Sequence, residues 1–133
     1  MSTIYLIDDD SIFVYLLAKI IETIDSSATV QVFGDGEAAL DYITGNREDA
    51  ALMPDFIFLD LNMPVMDGWE FLEQYGAIYR EGSKEVFLYI LSSTISAADI
   101  ERMGKYPVIR EFLVKPPEKS AIAEIILKKN SGQ

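Results

Sequence analysis

Near the middle of the chain stands the stretch Phe56-Ile57-Phe58-Leu59-Asp60, four apolar residues followed directly by a carboxylate. A second apolar run extends from Val86 to Leu91. Strands that are apolar almost throughout are typical of parallel sheets with helices on both faces, whereas half-exposed antiparallel strands alternate apolar and polar residues. The two runs therefore predict buried strands of a parallel sheet.

Outward from this pair, short apolar runs alternate with longer amphipathic segments. The predicted strands are Thr3 to Ile7, Thr29 to Phe33, Phe56 to Leu59, Val86 to Leu91 and Glu111 to Val114. The predicted helices are the segment from the capping candidates Asp10 and Ser11 to Ile24, then Glu37 to Ile43, Trp69 to Tyr79, Ala97 to Met103 and Glu118 to Leu127. Strict β-α order predicts an α/β fold, one doubly wound, three-layer domain around a five-stranded parallel sheet.

This single domain is expected to span residues 1–133, with its core at about residues 3–128 and no effector domain attached.

In the first helix, apolar residues recur at helical spacing: Phe13, Leu16, Leu17, Ile20, Ile21 and Ile24. The segment from Thr44 to Pro54 looks longer than a tight turn. It is either a solvated surface loop or a partner-specific insertion.

Composition excludes several classes of chemistry. The chain has no cysteine and no histidine, which rules out disulfide scaffolds, zinc sites of Cys or His ligands, serine–histidine triads and a phosphohistidine on this chain. Acidic residues number 22 against 11 basic ones, a net charge of −11 that argues against binding to nucleic acid or anionic membranes. Without a basic leader or an apolar run of roughly 18 residues, a cytoplasmic protein is expected.

The remaining polar chemistry follows the predicted strands. The residues at these strand ends are Asp8, Asp9 and Asp10, Asp60, Ser92 to Thr94, and Lys115. Taken singly, each has an ordinary explanation as a helix cap, a turn residue or a solvated lysine. In a parallel sheet, however, the strand ends meet at one edge, where ligands bind.

Carboxylates that converge at one edge repel each other unless a cation neutralises them. Oxygen ligands without His or Cys select Mg²⁺, with Mn²⁺ as a second possibility, over zinc or copper. A metal, a free carboxylate, a hydroxyl and a lysine together are the components of a phosphoryl-transfer site, in which one carboxylate is the nucleophile. The sequence therefore predicts phosphoryl chemistry at this edge.

Four stretches carry a resemblance to a known family: Tyr5 to Asp10, Phe58 to Gly68, Ile90 to Ser93 and Phe112 to Pro116. In order and spacing they resemble the receiver domain of two-component response regulators, of the chemotaxis-type single-domain kind. The likeness covers essentially the whole chain. It implies a flavodoxin-like sheet with strand order 2-1-3-4-5.

The resemblance also implies roles for the acidic residues. Asp60 would be the phospho-acceptor, and Mg²⁺ would be held by Asp9, Asp60 and the backbone carbonyl of Asn62, with Asp8 acting through water. Of the phosphate-binding residues, Ser92 would be the switch hydroxyl and Lys115 the lysine that precedes a cis bond to Pro116.

Further roles concern the response to phosphorylation. Phe112 falls at the aromatic switch position but has no hydroxyl to anchor a swing. Asn62 and Thr94 lie where side chains tune the rate of dephosphorylation. The candidate output faces are Ser96 to Tyr106 and Glu118 to Leu127, which a downstream protein target would bind.

The implied partner is a histidine kinase or a histidine phosphotransfer protein, since this chain supplies no histidine of its own. The protein would be a monomer or a weak homodimer whose only catalysis is self-directed phosphotransfer and autodephosphorylation. Two alternatives stay open. One is a pseudo-receiver scaffold that works without phosphorylation, and the other is a haloacid-dehalogenase-like phosphatase, because Asp8 and Asp10 have the spacing of its paired aspartates.

Overall fold

The computed structural model describes residues 2–78 and 84–130. Five strands and five helices alternate along this part of the chain. The strands are β1 (Thr3–Ile7), β2 (Thr29–Phe33), β3 (Phe56–Asp60), β4 (Phe87–Ser92) and β5 (Ile109–Val114). The helices are α1 (Ser11–Ile24), α2 (Gly36–Asn46), α3 (Gly68–Ile78), α4 (Ala97–Met103) and α5 (Lys119–Asn130).

All strand pairs are parallel, and the sheet has the order β2-β1-β3-β4-β5. This confirms the predicted fold class and strand order. β1, β3 and β4 are interior strands, and β3 is buried along its whole length because helices cover both faces of the sheet. Among the described residues, no helix is both long enough and apolar enough to cross a membrane.

Alternate residues of the interior strands β1, β3 and β4 contribute to two separate cores. Tyr5 and Ile7 of β1 pack with α2 and α3 on one face. Ile4 and Leu6 pack with α1 and α5 on the other face. Two residues in succession thus face opposite layers, as the strand periodicity requires.

The buried face of α1 differs from the predicted set of apolar residues at one position. Leu17 and Ile21 are buried as expected, but Leu16 is 55% exposed and Val14 is buried in its place. The buried residues Val14, Leu17 and Ile21 lie three and four positions apart, which puts them on one helix face. Leu16 falls outside this stripe and faces solvent.

Helix ends also differ from the expected bounds. The sequence predicts that α2 ends at Ile43, yet the helix continues through Gly45 to Asn46, because Gly45 does not adopt the left-handed backbone that ends helices. The Asn46 side chain instead donates a hydrogen bond to the Tyr42 carbonyl within the helix. At α5, the last polar residues extend the helix to Asn130. The predicted end of α3, Tyr79, lies outside the described residues.

The segment expected as a loop from Thr44 to Pro54 is therefore shorter than predicted, and much of it is fastened to the body. The Lys84 ammonium donates hydrogen bonds to the carbonyls of Ala50 and Met53, and the Tyr5 hydroxyl donates to Leu52. Consecutive turns connect Asp49 to Met53. These contacts support a surface loop that closes the amino-end of the sheet.

Candidate functional site

Three carboxylates meet at the carboxyl edge of the sheet. Asp8 follows β1 directly and Asp60 ends β3, and these two strands are hydrogen-bonded neighbours. One oxygen from each of Asp8, Asp9 and Asp60 lies within 4.8 Å of the others. Asp8 and Asp60 are only 4% and 5% exposed, whereas Asp9 is exposed at the mouth of the cluster. The structure thus brings the predicted acidic residues together.

Backbone hydrogen bonds hold Asp8 in place. Its own N–H donates to the Phe33 carbonyl of β2, and its Oδ1 accepts from the Asp10 N–H at 2.9 Å. Asp10 in turn caps α1, since its side chain accepts from the N–H groups of Ile12 and Phe13. The turn from β1 into α1 therefore orients the buried carboxylate and starts the helix at the same time.

The ammonium of Lys115 lies across the two buried carboxylates. Its Nζ is 2.7 Å from Asp8 Oδ2 and 3.6 Å from Asp60 Oδ1, and the lysine side chain is 16% exposed. Within the described residues Asp8 Oδ2 has no hydrogen-bond partner of good geometry, so this ion pair is its close contact. The Lys115 N–H donates to the Ser92 carbonyl of β4, and the Lys115–Pro116 bond is cis.

Asp60 is a weaker acid than an ordinary aspartate. Burial and the nearby Asp8 charge raise its pKa from 3.8 to about 6, and Asp9 adds to the rise. The Lys115 ammonium and a 3.4 Å hydrogen bond from the Asn62 N–H act in the opposite direction and lower the pKa. A buried carboxylate near a like charge therefore lies at the edge of the sheet, a combination that marks functional sites.

The loop between β3 and α3 approaches Asp60 closely. The Gly68 N–H donates to the Leu61 carbonyl at 2.9 Å, and a Cβ at position 68 would lie 2.7 Å from the Asp60 carbonyl oxygen. Asp67 and Glu70 exchange side-chain to backbone hydrogen bonds that cap α3. Only glycine at position 68 allows this approach, which explains its place in the sequence.

The remaining predicted residues lie around this cluster. Ser92 is buried at the end of β4, and its hydroxyl donates to the Thr94 carbonyl at 2.7 Å. Thr94 and Asn62 are exposed at the rim. Phe112 is half-buried in β5 and packs against the core on the α2 and α3 face. The structure therefore groups Asp8, Asp9, Asp60 and Lys115 directly, while the Ser92 hydroxyl is turned to its own loop.

The donor set fits a hard divalent cation. Its side-chain donors are carboxylate oxygens of three residues within 4.8 Å of one another, two of these residues are buried, and Lys115 places a balancing ammonium beside them. Such a set suits Mg²⁺ or Mn²⁺, which prefer oxygen ligands. Asp8, Asp9 and Asp60 are the residues that would hold the ion.

One residue at the site was not singled out for function from the sequence. The Phe13 ring of α1 lies with its centroid 4.6 Å from Lys115 Nζ. In the sequence Phe13 is one of several apolar residues at helical spacing, and no local signal separates it from them. The contact depends on how α1 and the segment after β5 pack together.

The doubly wound sheet thus carries three carboxylates and a lysine together at its carboxyl edge. The chain belongs to the response regulator receiver domain family, which it matches over residues 4–127. It is thus a receiver domain of two-component signalling.

Individual relatives agree with this assignment. A probable methanogenesis regulatory protein, FilR2, of Methanothrix harundinacea is 27% identical over 113 residues, covering 85% of this chain and 71% of that protein. The hybrid signal transduction histidine kinase L of Dictyostelium discoideum is 27% identical over 133 residues, but the match covers 96% of this chain and 7% of the kinase. A two-component response regulator of Cytophaga hutchinsonii has the same fold, with a TM-score of 0.82, 24% identity, and coverage of 95% and 94% of the two chains.

Proposed function

We propose that this receiver accepts a phosphoryl group on Asp60 from the phosphohistidine of a partner histidine kinase or histidine phosphotransfer protein. This proposal rests on the cluster of Asp8, Asp9 and Asp60, whose oxygens lie within 4.8 Å of one another. Lys115 Nζ contacts two of these carboxylates, those of Asp8 and Asp60. The chain has no histidine, so the phosphorylated imidazole comes from a partner. We place the exchange in the cytoplasm.

Bound Mg²⁺ would supply positive charge to the phosphoryl oxygens, with Asp9, Asp60 and the carbonyl of Asn62 as its protein ligands and Asp8 acting through water. In the transfer, an ionised Asp60 oxygen forms a bond to phosphorus while the bond from phosphorus to the imidazole nitrogen breaks. The leaving nitrogen keeps the electron pair of that bond and takes up a proton. Water later attacks the acyl phosphate and returns phosphate and the Asp60 carboxylate.

The protein's own residues prepare this step. Lys115 already balances charge beside Asp60, so its ammonium is available to a phosphoryl oxygen without long travel. The Ser92 hydroxyl, now bonded to the Thr94 carbonyl, can rotate to donate to a new acceptor. That rotation would release its bond to Thr94 and free the loop that leads to α4 to move.

The surface that responds is the one formed by α4, β5 and α5. α4 has no buried residue, and Ile100, Val114 and Leu127 are large apolar residues exposed on these three elements. A helix with so little burial can shift at low cost when the loop before it moves. Such a shift would change the face offered to a downstream protein target, beneath which Phe112 lies. Thr94 and Asn62 would set the lifetime of the phosphoryl group.

The phosphatase alternative loses support from the geometry. Asp10 would have to serve as the second catalytic carboxylate, yet its side chain accepts two hydrogen bonds from the first turn of α1. Asp8, which would be the nucleophile, is held by Lys115 and by the Asp10 N–H. Both carboxylates have positioning contacts that leave Asp60 as the better placed acceptor.

The test is intact-protein mass after incubation with a small phosphodonor such as acetyl phosphate, with Mg²⁺ and with EDTA. We expect a labile adduct of one phosphoryl group that requires Mg²⁺ and is absent in Asp60→Asn. Asp99→Asn, an exchange at a carboxylate outside the site, is the matched control and should keep the adduct. An adduct that persists in Asp60→Asn and is lost in Asp8→Asn would support the phosphatase, and no adduct in a protein that binds Mg²⁺ would support the scaffold.

A further inference from the structure

The Lys115 ammonium has an aromatic neighbour as well as two carboxylate neighbours. Its Nζ lies 2.7 Å from Asp8 Oδ2, 3.6 Å from Asp60 Oδ1 and 4.6 Å from the centroid of the Phe13 ring. The ring face carries negative charge density that attracts a cation within about 6 Å. The ammonium therefore lies between an aromatic face and an acidic cluster.

The turn from β1 into α1 positions both the Phe13 ring and the Asp8 carboxylate. The Asp10 side chain accepts from the Phe13 N–H at 3.1 Å, which fixes the first turn of α1. The Asp10 N–H donates to Asp8 Oδ1 at 2.9 Å, which fixes the carboxylate. Phe13, Asp10, Asp8 and Lys115 thus form a closed ring of contacts, and the position of the aromatic face is coupled to that of the carboxylate.

We infer that Phe13 is a positioning residue that holds the Lys115 ammonium over the acidic cluster and so prepares it for the phosphoryl group. A lysine side chain loses rotamer entropy when it is held in one place. A ring that confines the ammonium beforehand lowers the cost of ordering it when the phosphoryl group arrives. This inference rests on the proposed function for its purpose, but the contact can be tested without phosphorylation.

Phe13 also packs against the core formed by α1 and α5, so its stabilising role must be separated from its effect on the lysine. Phe87 is a matched control. It is half-buried against the same core and has the guanidinium of Arg110 4.1 Å from its ring centroid, but it starts β4, whereas Ser92 and the site lie at the other end of that strand. Phe87→Leu removes a comparable ring without touching Lys115.

The experiment compares Phe13→Leu, Phe13→Tyr and Phe87→Leu with the wild type. The first readout is the affinity for beryllofluoride, a phosphoryl mimic, at saturating Mg²⁺. The second is the ¹H NMR shift of the Lys115 methylene groups next to Nζ, which the ring current of Phe13 should move upfield. Urea denaturation of each variant gives its loss of stability.

We expect Phe13→Leu to weaken beryllofluoride binding about five- to tenfold, the size of one cation–π contact, and to abolish the upfield shift. Phe13→Tyr keeps a ring face and should retain the shift and bind within about twofold of wild type. Phe87→Leu should bind beryllofluoride as the wild type does, even where it loses as much stability as Phe13→Leu.

Three results would overturn the inference. One is the absence of a ring-current shift in the wild type, and another is equal binding by Phe13→Leu and wild type. Equal weakening in Phe87→Leu would show that the loss follows from stability alone and would also count against it. If the wild type binds Mg²⁺ but neither beryllofluoride nor a phosphoryl group, the proposed function fails, and the ring-current shift still decides whether Phe13 holds the lysine.

Discussion

The ammonium of Lys115 lies 2.7 Å from Asp8 Oδ2, closer to this carboxylate than to Asp60, from which it is 3.6 Å away. In this arrangement the lysine neutralises the acidic pair on which a divalent cation would also depend. Cation and ammonium therefore compete for Asp8, and occupancy of the site by metal should depend on the lysine charge.

Replacement of Lys115 by methionine tests this competition. Loss of the positive charge should raise Mg²⁺ affinity about five- to tenfold, because the cation no longer meets a repulsive neighbour and gains a free carboxylate. Isothermal titration calorimetry measures the change. Lys84→Met, which removes a lysine paired with Asp55 at the amino-end of the sheet, should leave the affinity unchanged. Equal or weaker binding by Lys115→Met would contradict the idea of competition.

The acidity of Asp60 predicts how stability depends on pH. A carboxyl with a pKa raised from 3.8 to about 6 binds its proton more tightly in the folded than in the unfolded protein. Folding stability must therefore fall as the pH rises through this window, and the penalty persists above it. In EDTA, Asp60→Asn should be more stable than wild type at pH 7 by an amount on the order of 1 kcal/mol.

Urea denaturation at several pH values measures this difference. It should disappear below a pH of about 3, well under the unfolded pKa, where the carboxyl is protonated in both states. Asp41→Asn, an exchange at an exposed carboxylate of α2, should show a much smaller change. A stability difference that stays constant from acid to neutral pH would show that ionisation of Asp60 is not its cause.

Gly68 sets how closely α3 approaches the backbone of Asp60 and Leu61. A Cβ there would lie 2.7 Å from the Asp60 carbonyl oxygen and 2.8 Å from the Leu61 Cα, both of which are backbone atoms. Gly68→Ala should lower the free energy of unfolding by about 2 kcal/mol and slow phosphorylation, because the loop carrying Asp60 must move. Urea denaturation and the mass assay check the two effects.

Gly76 in the same helix is the matched control. A Cβ at this position meets no atom within 4 Å, so Gly76→Ala should stabilise the protein by about 0.5–1 kcal/mol and leave phosphorylation unchanged. Similar stability changes in the two alanine variants would indicate that the close approach at Gly68 does not constrain the loop.

Val65 occupies a strained turn in the same loop. Its φ is 67°, a conformation that β-branched residues rarely adopt, and the Met66 N–H donates to the Pro64 carbonyl across it at 2.7 Å. Val65→Gly should raise the free energy of unfolding by about 0.5–1 kcal/mol, since relief of strain exceeds the entropy that glycine adds to the unfolded chain. Chemical denaturation measures this change in the free energy of unfolding.

Val32 of β2 provides the comparison, because it is also an exposed valine but lies in an extended strand. Val32→Gly should destabilise the protein. If both glycine variants lost stability, the backbone at Val65 would not be strained in solution.

Much of the fold could be predicted because its signals are local. The bounds of β1, β2 and α4 agree with those predicted, since apolar runs and a capping serine at position 96 mark them within a few residues. β5 was predicted too short. Ile109 belongs to it because it pairs with Leu88, next to an irregular register that no local pattern reveals.

The membership of the acidic cluster also followed from the sequence. In a parallel sheet every strand ends at the same edge, so residues just after the strands had to converge there. Distances and ionisation could not be predicted, because they depend on packing. The lysine lies closer to Asp8 than to Asp60, and the pKa of Asp60 rises to about 6, because of burial and of the charges that folding brings together at this edge.

The sequence established the alternation of elements, the parallel sheet and the residues at its carboxyl edge, because apolar periodicity and strand-end position are properties of short segments. The contact between Phe13 and Lys115 and the turn of the Ser92 hydroxyl towards Thr94 arose only on folding. Phe13 lies in α1 and Lys115 after β5, and they meet because α1 and α5 pack side by side on one face of the sheet. Contacts between residues so distant in the chain are set by how the layers pack, which no single segment encodes.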